Sequence, residues 1–61
     1  MRTIDIFAEN TNELYTALET IANRFPCFVE TTPIEMNWME IKIECREEDA
    51  ASIENILADF A

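Results

Sequence analysis

The sequence predicts an α+β fold in the order β-α-β-β-α: a three-stranded antiparallel sheet, strand order 1-3-2, with two helices on one face. Three observations carry this. Apolar residues alternate with polar ones over 2–7 and 38–45, the period of a strand with one buried side. Over 11–25 and 47–60 they recur at three- and four-residue intervals, the period of an amphipathic helix. Between these patterns, residues 27–32 are rich in β-branched and aromatic side chains, the composition of a strand. Residues 1–61 are expected to form a single domain, one that buries only about 60% of its unfolded surface.

Each element has its own local reason. In RTIDIF, residues 2–7, Ile4 and Ile6 take one face and Thr3, Asp5 and Phe7 the other. Asn10 is then expected to cap a helix, with Glu13 three residues on as its capping-box partner. Leu14, Ala17, Leu18, Ile21, Ala22 and Phe25 line one side of that helix. Pro26 ends it, because the residue before a proline is pushed out of the helical region. In CFVETT, residues 27–32, either Val29 with Cys27 and Thr31 or Phe28 anchors the buried side. Thr32 to Asn37, with Pro33 inside, reads as a connection. Residues 38–45, WMEIKIEC, send Met39, Ile41, Ile43 and Cys45 one way and Trp38, Glu40, Lys42 and Glu44 the other. Glu47, Glu48 and Asp49 open the last helix, whose apolar side is Ile53, Ile56, Leu57 and Phe60.

A strand–helix–strand unit followed by a hairpin partner places the third strand in the middle, and the arrangement resembles a ferredoxin-like fold lacking its last strand. Both helices are expected over the face carrying Ile4, Ile6, Met39, Ile41 and Ile43. The other face is expected to be open to water, as antiparallel sheets permit. It would carry Asp5, Glu40, Lys42 and Glu44 with Phe7 and Trp38, and Glu30 too if Val29 points inward. Strand 1 would be an unprotected edge.

The two cysteines are expected to be unlinked. A hairpin turning on Pro33–Met36 sets Cys27 opposite the neighbourhood of Lys42. Cys45 then lies roughly 10 Å farther along the strand, beyond the ~7 Å between Cα atoms that a disulfide spans. Buried free thiols are the expectation, and two cysteines without histidine do not complete a zinc tetrahedron.

Charge gives the chain its chemical character. Thirteen Asp and Glu face four Lys and Arg, for a formal net charge of -9, and there is no histidine or glycine. So strong a negative field repels nucleic acid and anionic membranes and attracts basic surfaces. Lack of histidine removes the usual general base, and lack of glycine removes the standard phosphate-cradling loops. The candidate nucleophiles Cys27, Cys45, Ser52 and Tyr15 have no visible base partner. A two-helix, three-strand domain also offers little cleft in which to raise a carboxylate pKa. No enzymatic activity is expected, and no cofactor or metal: the calcium-loop pattern, which needs a glycine, is missing. No apolar run approaches the ~18 residues that cross a bilayer, and Met1 to Phe7 do not read as a signal peptide, so a cytoplasmic protein is expected.

The candidate site is acidic and aromatic. Glu47, Glu48 and Asp49 have a structural role available, complementing the dipole of the helix they begin. Glu40 and Glu44 sit on one strand face, and Asp5 extends them on the neighbouring strand. As solvated side chains these need no function. Glu13 and Glu19 on the first helix, and Glu54 and Asp59 on the second, add to the same charge without offset. Such self-repulsion destabilises a compact domain, and a purely structural protein has little reason to carry it. Trp38 on that face is a candidate anchor, since exposed tryptophan is enriched at binding hot spots; its structural alternative is stacking on Phe7 or Phe28.

In size, acidity and lack of catalytic residues the whole chain resembles the small phage-encoded DNA mimics, anti-CRISPR proteins among them, through overall character rather than a motif. The resemblance implies an inhibitor that offers carboxylates to a basic nucleic-acid-binding surface, with a CRISPR effector complex as partner in the host cytoplasm. Asp5, Glu30, Glu40, Glu44, Trp38, Glu13 and Glu19 would be the contact residues, the acids replacing phosphates. A monomer is favoured, with a homodimer as the other state. The competing reading is a small regulatory or assembly module that pairs through the strand 1 edge or the open sheet face.

Overall fold

The computed structural model describes residues 1–60. Its elements are β1 (Arg2–Glu9), α1 (Asn12–Arg24), β2 (Cys27–Glu35), β3 (Trp38–Cys45), a 3-10 turn (Glu47–Asp49) and α2 (Ala50–Leu57). The sheet is antiparallel in the order β1-β3-β2, as the sequence predicts. β1 extends two residues past the expected strand, because Ala8 continues the inward alternation of Ile4 and Ile6 and is fully buried.

One cluster forms the core. Ile4 and Ala8 from β1, and Met39, Ile41, Ile43 and Cys45 from β3, meet Leu14, Leu18 and Ile21 from α1 and Ala50, Ile53 and Leu57 from α2. Ile6, Phe25, Cys27, Val29, Ile56 and Phe60 pack around it, half-buried. The central strand supplies most of the fully buried sheet residues, because both neighbours shield it while β1 and β2 each have a free edge.

The cap of α1 is Thr11 rather than Asn10. Its hydroxyl oxygen accepts from the Leu14 amide at 3.2 Å, and its backbone is extended, as a cap requires. Asn10 donates its own amide to the Asn37 carbonyl instead, tying the exit of β1 to the hairpin turn. At the other end, Phe25 is extended and its amide reaches the Ile21 carbonyl at 3.0 Å. The proline at 26 forces that ending.

The hairpin differs most from expectation. The connection assigned to 32–37 is mostly strand: β2 continues through Pro33 to Glu35, with an irregularity between Pro33 and Glu35. Proline is tolerated because β2 is an edge strand and the ladder is already irregular beside Pro33. Only Met36 and Asn37 turn, and Met36 takes a positive φ of 48°. The tighter turn shifts the register by three residues. Cys27 therefore lies opposite Cys45, and Glu30, not Cys27, faces Lys42. The expected ~10 Å offset between the cysteines is absent, although both remain free thiols.

The last helix is shorter than 47–60. Glu47–Asp49 is a 3-10 turn and α2 ends at Leu57. Asp49 is a nearly buried acid that accepts from Arg46 Nε at 2.8 Å, so its role is an ion pair at the helix entrance as well as charge at its first turn.

Candidate functional site: the open face of the sheet

Strand alternation sorts the side chains. Because Ile41, Ile43 and Cys45 point into the core, Trp38, Glu40, Lys42 and Glu44 project from the opposite side of β3. The register then sets their neighbours. Thr3, Glu44 and Phe28 form one cross-strand row, Asp5, Lys42 and Glu30 the next, and Phe7, Glu40 and Thr32 the third. Glu9 and Glu35 flank Trp38 in the last. Rows repeat at about 6.6 Å along a strand and strands at about 4.8 Å across the sheet. Carboxylates are thus presented on a lattice of short, regular spacings.

This face is open. Asp5, Glu9, Glu30, Lys42 and Glu44 are exposed and Glu40 is half-buried. Phe28 is 68% exposed, Phe7 57% and Trp38 49%. Val29 with Cys27 therefore supplies the buried side of β2, while Phe28 stands in solvent. Trp38 keeps half its surface wet, so it does not fold away beneath its neighbours. Near the Glu44 row, Thr3, Phe28, Glu30, Lys42 and Glu44 line a shallow hollow of about 200 Å³.

Charge on the face is one-sided. Asp5, Glu9, Glu30, Glu35, Glu40 and Glu44 share the face with a single cation, Lys42, and none of the ion pairs among the described residues includes that lysine. The other basic groups serve elsewhere. Arg2 pairs with Glu47 at 3.4 Å and Glu54 at 3.7 Å, and Arg46 with Asp49 at 2.8 Å and Glu48 at 4.0 Å. The hydrogen bond to Asp49, helped by the charges of Asp49 and Glu48, holds the Arg46 guanidinium above its ordinary pKa against partial desolvation. Two arginines thus offset acids around α2, and the sheet face keeps its own excess.

Of the residues expected at a site, Asp5, Glu30, Trp38, Glu40 and Glu44 come together on this face. Glu13 and Glu19 do not join them: they are exposed on α1, whose buried side belongs to the core cluster. Sequence reasoning missed Glu9 and Phe28, and Glu35 with them because 32–37 read as a connection. Continuing the β1 alternation to residue 9 would have found the first; the second needed the hairpin register.

The described residues hold no group of His, Cys, Asp and Glu suited to a metal ion, and none of their helices is long and apolar enough to cross a membrane. No family model, curated protein or solved structure matches the chain. The functional reading rests on the chemistry of this face.

Proposed function

We propose that the protein is an acidic inhibitor that binds the basic nucleic-acid-binding surface of a partner through the open face of its sheet. The carboxylates of Asp5, Glu9, Glu30, Glu40 and Glu44 stand in for phosphates, and Trp38 and Phe28 anchor the contact. In the sharpest form of this proposal the partner is a CRISPR effector complex and the protein blocks its target-DNA site.

The observation that carries the reading is the coincidence, on one exposed face, of six carboxylates and one lysine with three exposed aromatic rings. Lys and Arg grooves shaped for phosphates accept carboxylates through the same charge-assisted hydrogen bonds. The hollow beside Phe28 suits a partner guanidinium, with a ring face for stacking and the Glu30 and Glu44 carboxylates for pairing. A basic groove also relieves the self-repulsion that the free domain carries.

The test is capture of a purified CRISPR effector complex on immobilised protein. Capture should be released by moderate salt and by competing DNA. A folded Glu40→Lys/Glu44→Lys variant should bind at least about tenfold more weakly, since like charges meeting across an interface cost several kcal/mol. Equal binding by that variant removes the face from the proposal. Capture that resists salt and DNA, or no capture at all, overturns the effector assignment; salt-resistant self-association points instead to pairing along the β1 edge.

A further inference from the structure

We propose that Cys27 and Cys45 form an oxidisable dithiol that closes to a disulfide across β2 and β3. The two are direct register partners on the outer and central strands. Both belong to the core side of the sheet, where Cys45 is fully buried and Cys27 half-buried. Residues opposed in an antiparallel pair have Cα atoms about 4.5–5.5 Å apart, inside the roughly 4.4–6.8 Å range of disulfides. The backbone need not move for the bond to form.

Several features set an order to the chemistry. Cys27 is the only one of the two that solvent reaches, so it meets the oxidant first. Its Sγ lies 3.8 Å from the Ile21 carbonyl, a weak contact at the end of α1 that a rotation of the side chain gives up. Burial, then the neighbouring Cys45 and Asp49, push the Cys27 thiol above its ordinary pKa, so its oxidation is slow near neutral pH and quickens as pH rises. With so negative a protein, a neutral oxidant is the suitable class, and hydrogen peroxide serves. The Cys27 thiol gives up its proton, its sulfur attacks one peroxide oxygen, the O–O bond breaks, and the departing hydroxide takes up that proton, leaving a sulfenic acid and one water. The Cys45 sulfur then attacks the Cys27 sulfur, and the proton of the Cys45 thiol leaves with the displaced hydroxyl as a second water. Two thiols lose two electrons and two protons, and one peroxide becomes two waters.

The cross-link would pin the start of β2, an edge strand whose later residues Thr31 to Glu35 are all exposed, to the middle of the sheet. It would close the chain from 27 to 45 into a loop. It is independent of what the open face binds, since it joins side chains on the other side of the strands.

The protein in its thiol form is treated with hydrogen peroxide and followed by intact mass, thiol titration and peptide mapping. Both thiols should disappear together, with loss of two hydrogens, a Cys27–Cys45 cross-linked peptide and no covalent dimer. The oxidised form should melt higher than the reduced one, by on the order of 10 °C. In a Cys27→Ser variant, Cys45 should stay a thiol while the domain is folded. Sulfenic or sulfinic acid accumulating on Cys27 of the wild-type chain beside an intact Cys45 thiol overturns the proposal. So does a disulfide-linked dimer as the main product, or an oxidised form that melts lower than the reduced one.

Discussion

Thr11 shows how much one side chain decides at the entry to α1. Both Asn10 and Thr11 are capable caps, and the helix uses Thr11 because its hydroxyl is the one that meets the Leu14 amide. Thr11→Ala should therefore cost about 1 kcal/mol in urea unfolding. Asn10→Ala should cost less, since the contact Asn10 makes with Asn37 runs through its backbone amide and survives truncation. Equal losses would mean that the Asn10 side chain shares the capping. Asp49 belongs to the same scale: the sequence places it in an acidic helix start, whereas the fold draws it inward onto Arg46.

Among the elements, the β2–β3 hairpin holds the most leverage. Two residues make its turn, and the one with positive φ is a methionine, in a region where a Cβ crowds the following carbonyl. Met36→Gly removes that crowding, although it loosens the unfolded chain. The net result should be stabilisation by roughly 0.5–1 kcal/mol with an unchanged denaturant slope. Met36 is almost wholly exposed, so no packing is lost with it. A less stable variant would show that the methionine side chain supports the turn. The same short turn sets the register of the whole hairpin. Moving it by one residue would exchange the faces of Phe28 and Val29.

For the whole molecule, charge is the governing quantity. A net charge of -9 on 61 residues opposes folding through self-repulsion. Arg2 and Arg46 relieve it only around α2. Added sodium chloride should therefore raise the melting midpoint, as the screening length falls from about 30 Å at 0.01 M to about 10 Å at 0.1 M. A midpoint that falls with salt would mean that the arginine ion pairs outweigh the repulsion. The same salt series weakens any complex made by the open face, so the free protein and its complex should respond with opposite sign.

The sequence by itself determined the order of elements, the 1-3-2 sheet and the inward set of β3. The elements follow from short-range periods that need no partner to be read, alternate residues in WMEIKIEC or threes and fours from Leu14 to Phe25, and the strand order follows from how the elements connect. It also determined the acidic character of the chain, and it placed Asp5, Glu40 and Glu44 on one face through the same alternation. Only the tertiary structure decided the hairpin register, and with it the pairing of Cys27 with Cys45, the exposure of Phe28 and the entry of Glu30 into the row of Asp5 and Lys42. Pro33 argued locally for a connection, but an edge strand with an irregular ladder accommodates it, so the strand ran on and the turn tightened. Register is a long-range choice between turn geometry and side-chain burial, and neither is written in the residues of one strand alone.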